Sequence, residues 1–346
     1  MGLSMKANLL LATALSCSLL SACSDDSNTS DSTPATNSEE DSNPLASVVD
    51  VDPSLFVEGA LTEDITTEAC TLSDGTETSC YRITIAGSPA DDSAVGPYCP
   101  PTIDSTAEEG GTWIKDNEIY DVDGDFIVGL STFFNDDSWQ MYDEQTRAVT
   151  IIDGAEGCDV AGNPENTTGT DNFCLECNLE FIDGGVERTL LIPVTPVFAG
   201  TADANFGNDN IGVALNGVLL GPPAPLELIV SSLTLGVFDD CGGHANPHEG
   251  YHYHAANGCS EIGEQPDAHS AMIGYALDGY GVYARLDDSG NEPTGLDQCG
   301  GETDDIRGYH YHASVPGANQ IIDCFMGAKG YEDNGDEDGP GGPPRG

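Results

Sequence analysis

The sequence predicts a mainly β protein: a disulfide-stapled β domain with long ordered loops and an internally duplicated C-terminal half, set between a disordered acidic N-terminal tether and a C-terminal tail. Three observations carry that class. Short apolar runs of period two gather around Asp-Gly and Asn-Gly turns. Of 12 cysteines, all but Cys17 and Cys23 lie beyond a leader. The C-terminal half repeats a long motif in register. Stretches of helical period are scarce, and the 42 glycines favour turns over helices.

The opening MGLSMKANLLLATALSCSLLSAC places Lys6 before an apolar run, Leu9 to Leu20, that is too short to stay in a bilayer as a permanent helix. The small residues before Cys23 resemble the lipobox of bacterial lipoproteins. Residues 1–23 are therefore expected to be a signal peptide, with Cys23 lipidated as the first residue of the mature chain. Ser24 in the next position favours, by the same resemblance, the outer membrane or cell surface, and the lipid would be the chain's one attachment to a membrane. Residues 24–58, rich in Ser, Asp, Asn, Thr, Glu and Pro, read as a disordered acidic linker. Residues 59–190 read as an N-terminal β-rich region, 191–330 as the duplicated domain, and 331–346, acidic and rich in Gly and Pro, as a disordered tail.

The chain holds 60 Asp and Glu against 9 Lys and Arg, a formal charge of -51. That charge argues against nucleic acid as a partner and leaves cations favoured. It also suits solubility in a salty medium.

Within the first region, EACTLSDGTETSCYRITIAG alternates around an Asp-Gly turn and is expected to form a hairpin stapled by Cys70 and Cys80. LEFIDGGVERTLLIPVTPVF has the same form around Asp-Gly-Gly and predicts a second hairpin. In the second region, IGVALNGVLLG (Ile211 to Gly221) matches IGYALDGYGVY (Ile273 to Tyr283). Each is followed by Cys-Gly-Gly and then by GYHYHA, with Cys241 ten residues before Tyr251 and Cys299 ten before Tyr309. The spacing implies two related halves whose motifs face one another. Cys241 with Cys259 and Cys299 with Cys324 each bracket one copy. Cys174 and Cys177 form a CxxC that reads as a redox pair, half a zinc site or, the favoured reading, structural disulfides involving Cys99 and Cys158.

Alternate residues of a strand share a face, so His252 and His254 project together, as do His310 and His312, with the tyrosines on the other side. Paired imidazoles of this kind suit one metal ion, and bringing the copies together would converge four of them. His244, His248 and His269 complete the seven histidines, and Glu302 holds in the second copy the place of His244. Glu302, Asp239 and Asp240 are further carboxylate donors or partners that fix a histidine tautomer. Imidazole with carboxylate points to zinc or copper(II), with Met272 and Met326 keeping a copper reading open. Ligation by neutral imidazole should weaken below about pH 6.5, with the acidic surroundings moving that point upward. Asp121, Asp123 and Asp125 in DVDGDF make a weaker calcium candidate whose glycine does not fall where an EF-hand needs it.

The stretches GGHANPHEGYHYHA and IGYALDGYGVY with LDQCGG and GYHYHA resemble the YHYH domain family of exported bacterial proteins. The resemblance covers Leu191 to Gly327, and the region from Ile65 with GPYCPPTIDSTAEEGGTWI resembles the N-terminal part of lipoprotein members. It departs from the family's usual DGFPIYG at DGYGVYA, where Gly281 replaces the proline, and it implies a label more than a mechanism. Three functions fit. The favoured one is a cell-envelope lipoprotein that binds a transition metal through the duplicated histidines. The alternatives are a metal-dependent hydrolase with Glu249 or Glu302 as general base, and a glycan-binding or adhesive module with a tyrosine platform and structural histidines. No GxSxG, HExxH or Walker loop stands in a supporting context.

Overall fold

A computed structural model describes residues 48–333, apart from 92–94, 162–171, 180–185, 208, 248, 262, 266 and 288. The leader, Cys23, most of the linker, the end of the tail and the Asp-Gly-Gly turn lie outside the described residues. Those described belong to one compact unit, Asn43–Gly346. In chain order they form β1 (Thr66–Thr71), β2 (Glu77–Ile85), β3 (Thr112–Lys115), β4 (Glu118–Asp121), α1 (Gly124–Phe133), β5 (Ile151–Ile152), α2 (Ala155–Ala161), β6 (Phe173–Leu175), β7 (Arg188–Pro193) and β8 (Phe198–Asp203). There follow β9 (Gly212–Ala214), β10 (Leu219–Leu220), α3 (Leu226–Ser231), β11 (Thr234–Gly236), β12 (Gly243–Asn246), β13 (Gly250–Tyr253), β14 (Met272–Ala276), β15 (Gly281–Tyr283), β16 (Gly301–Asp304), β17 (Gly308–His312), β18 (Phe325–Gly327) and β19 (Tyr331–Asp333). Among the described residues strand exceeds helix, 33% to 10%, as the scarcity of helical periodicity implies. No helix among the described residues is long and apolar enough to cross a membrane.

The hairpin of β1 and β2 turns at Asp74-Gly75, and the Cys70–Cys80 disulfide closes it. The first strand and turn of the second expected hairpin lie outside the described residues, and its later strand, β7, pairs with β2 on one side and β19 on the other. Leu190 and Ile192, both 0% exposed, gain more apolar cover in the middle of that sheet than a lone hairpin could provide. Parts of both segments expected to be disordered belong to the described fold. Val51 is buried and donates its N–H to Val194, so the end of the linker joins the fold, while β19 takes the first residues of the tail.

The duplicated segments build an eight-stranded sheet in the order β12-β13-β10-β9-β14-β15-β17-β16. Read from either edge, the pairings are antiparallel, parallel and antiparallel, with β9 and β14 antiparallel at the centre. The two YHYH strands thus lie five steps apart, roughly 24 Å along the sheet at about 4.8 Å per strand, with β10, β9, β14 and β15 between them.

The repeated spelling follows from local packing. Gly250 and Gly308 take φ of 77° and 63°, a left-handed conformation that a side chain would strain. Their carbonyls meet His252 Nδ1 at 3.1 Å and His310 Nδ1 at 3.0 Å. The second glycine of each Cys-Gly-Gly leaves room for a tyrosine, because a Cβ at Gly243 would stand 2.6 Å from Tyr251 Oη and one at Gly301 2.1 Å from Tyr309 Oη. Neither phenol can withdraw, being held by Asp239 at 2.7 Å and Asp297 at 2.9 Å. Gly301→Ala is expected to lower the unfolding free energy by about 2 kcal/mol, read as a lower urea midpoint at unchanged slope. An unchanged midpoint would show that the tyrosine can move.

Candidate metal centres

Two hairpins present the donors. In the first, β12 and β13 pair with His244 directly opposite His252. In the second, β16 and β17 place Glu302 opposite His310. Directly opposed residues share a face, so the register alone brings each cross-strand pair together. Two residues on, His254 and His312 lie on that same face. Each anchors its Nδ1 to a carbonyl beyond the neighbouring parallel strand, Pro222 at 2.6 Å and Ala284 at 2.9 Å.

The expected single four-imidazole site does not form. The donors make two separate groups, His244 with His252 and His254, and His269 with Glu302, His310 and His312, the ligand atoms of each lying within 4.8 Å of one another. The two-fold arrangement runs between β9 and β14 and not between the YHYH strands, so the motifs are carried outward.

In the second group every histidine Nδ1 meets a backbone carbonyl: His269 that of Ser270 at 3.1 Å, His310 that of Gly308 and His312 that of Ala284. A carbonyl only accepts, so the tautomer with hydrogen on Nδ1 satisfies all three carbonyls and turns each Nε2 lone pair toward the group. Those lone pairs and the Glu302 carboxylate converge. His310 Nε2 is 3.2 Å from His269 Nε2, and Glu302 Oε1 is 3.0 Å from His312 Nε2 and 3.7 Å from the other two. In that tautomer four acceptors face one another, an arrangement relieved by a shared proton or by a metal cation among them. Zinc–nitrogen bonds of about 2.0–2.1 Å set tetrahedral donors about 3.3 Å apart, close to the observed spacing. The loop bearing His269 is held by Arg307, whose guanidinium bonds Asp267 and Asp304.

In the first group His252 and His254 likewise commit Nδ1 to carbonyls, and His254 Nε2 lies 3.2 Å from His244 Nε2. Phe238 packs beside His244 and His254, with ring centroids 5.2 and 5.6 Å away. Burial keeps the imidazoles neutral, pulling His252 down to about 4, His254 to about 3 and His244 well below its usual value. In the second group burial also lowers His312 and takes His310 to about 4. The acidic surroundings were expected to raise these values; desolvation outweighs them, leaving the form that ligates.

The tyrosine faces are core, not a platform. Tyr251, Tyr253, Tyr309 and Tyr311 are 0–3% exposed, which removes the surface on which a glycan would stack. Asp239 bonds Tyr251 and the backbone N–H groups of Cys241 and Gly243, so it holds the Cys-Gly-Gly turn and joins neither group; Asp240 is exposed. Asp297 does the same work in the second copy, a residue missed although both copies place Asp two positions before the cysteine. Met272 lies buried in β14 and Met326 half-buried in β18. Asp123 caps α1 by accepting the Phe126 N–H at 2.8 Å, and Asp121, Asp123 and Asp125 form no donor group among the described residues. His248 lies outside them. Cys70–Cys80, Cys241–Cys259 and Cys299–Cys324 pair as expected, and the CxxC is divided between Cys99–Cys174 and Cys158–Cys177, so it is not a redox pair.

The family model described as YHYH protein matches residues 189–295. That span holds the first histidine group and His269 and stops before Glu302, His310 and His312. No curated protein and no solved structure matches the chain.

Proposed function

The chain carries a YHYH domain over residues 189–295, and from that premise we propose that it is an exported lipoprotein of the cell envelope, anchored through Cys23, that binds two zinc ions, one at each histidine group. The observation that carries the metal reading is the second group, where three imidazoles whose Nδ1 atoms meet backbone carbonyls gather their Nε2 atoms around a carboxylate. Its donor set suits zinc or copper(II), and we favour zinc for its tetrahedral preference. The leader and the Leu-Ser-Ala-Cys before Ser24 support the anchor.

Metal analysis of the exported protein, purified without a histidine tag, is expected to find two zinc ions per chain. Removing both with a chelator is expected to lower the melting temperature by about 10 °C, since each ion at a thousand times its dissociation constant stabilises the fold by about 4 kcal/mol. A chain that arrives without metal and takes up none on dialysis against zinc overturns the reading. Labelling with palmitate in a bacterial host should depend on Cys23, and a Cys23→Ser chain released unlipidated is the expected control.

A further inference from the structure

The two groups place their YHYH imidazoles alike but differ in what completes them. The second has four donors, His269 and Glu302 joining the pair. The register that aligns Ile211 with Ile273 aligns Gly207 with His269, so the first copy has no side chain where the second has its fourth donor. Among the described residues the first group is three imidazoles. The Glu249 carboxylate stands close by, its Oε2 3.7 Å from His252 Nε2 and its side chain 30% exposed. It lies outside the reach that the three nitrogens share, whereas donors of one zinc ion stand at most about 4.2 Å apart.

Charge sharpens the difference. Three neutral imidazoles leave a divalent ion its full double charge within the donor set, with Glu249 outside it, while Glu302 removes one unit at the other site. An uncompensated buried charge draws a counter-ion. We propose that the ion at His244, His252 and His254 keeps a fourth position for an exogenous ligand, water or a small anion, with Glu249 beside it as a hydrogen-bond acceptor, and that the ion at His269, Glu302, His310 and His312 is closed by protein donors. Three nitrogen donors with one exchangeable position are the arrangement of zinc hydrolytic centres, and four protein donors that of structural ones.

This rests on the metal reading above, and cobalt(II) with azide separates the two. In the full mature chain loaded with cobalt, azide is expected to shift the visible absorption and to saturate at one azide per chain. The shift should persist in His310→Ala/His312→Ala and vanish in His252→Ala/His254→Ala. Should that second variant fail to fold, His244→Ala, on the edge strand β12, is expected to abolish the response with its circular dichroism unchanged. A loaded chain whose spectrum ignores azide has a fourth protein donor at the first site, which overturns this inference and leaves metal binding standing. A response that follows the second site overturns it equally, and a chain that takes up no cobalt overturns both.

Discussion

Zinc content is expected to fall from two ions per chain to one in His310→Ala/His312→Ala, to one again in His252→Ala/His254→Ala, and to none when all four are changed. The two groups share no residue, and four strands separate the strands that carry them. Each double change leaves its own site with two donors at most. If an ion held by four ligands binds with roughly 12 kcal/mol, losing half of them weakens that site by more than about a thousandfold. The untouched site keeps every donor and every Nδ1 partner, and effects at sites so far apart add. Competition with a chromogenic chelator reads both numbers. One site shared by both copies predicts a different result, with either double change emptying the protein, and that outcome would return the duplicated strands to a facing arrangement.

Much of this site was legible because strand geometry has a fixed period. His252 with His254 and His310 with His312 share faces for no reason beyond alternation, and the ungapped spacing from each Cys-Gly-Gly already aligned His244 with Glu302, which the hairpin registers then place opposite equivalent histidines. A repeat, however, does not say where its halves meet. The strands within IGVALNG and IGYALDG, β9 and β14, are buried throughout and take the sheet centre, where they pair with one another, and that choice moves the histidine strands apart. His269 came from proximity alone, because its loop is placed by Arg307 bonding Asp267 and Asp304 and by nothing in the repeat. The CxxC was ambiguous for a related reason: Cys174 and Cys177 flank the end of β6 and take different partners, Cys174 one 75 residues away and Cys177 one 19 away. Asp123 shows the limit of motif reading, since an acidic stretch with a glycine suits a cation loop and a helix cap alike, and the α1 backbone N–H decides between them.

The second large effect concerns Asp278, which is 0% exposed. Its carboxylate accepts the Tyr311 hydroxyl at 2.6 Å and the N–H groups of Gly327 at 2.9 Å and Tyr280 at 3.3 Å, tying β17 to β18 directly behind His310 and His312. Asp278→Ala leaves those buried donors unmet and is expected to cost about 4 kcal/mol. Asp278→Asn should cost less, because Asn216 fills the equivalent place in the first half, bonding Tyr253 Oη at 3.1 Å and Val218 N at 3.3 Å. The asparagine variant also isolates a pH effect. Burial pushes the Asp278 carboxyl up to about 6, against the donors that pull it down, while an unfolded aspartate titrates near about 3.9. A higher value in the native state means that folding favours the protonated form. The stability this group contributes is therefore present below about pH 4 and is lost as pH rises through about 6. In metal-free protein, the advantage of wild type over Asp278→Asn in urea should shrink by about 2 kcal/mol between pH 4.5 and 7.5. Asp239, pushed up to about 6 in the same way, is common to both chains and cancels. An advantage that grows with pH would mean that the three donors outweigh burial, leaving Asp278 ionised at both ends of the range.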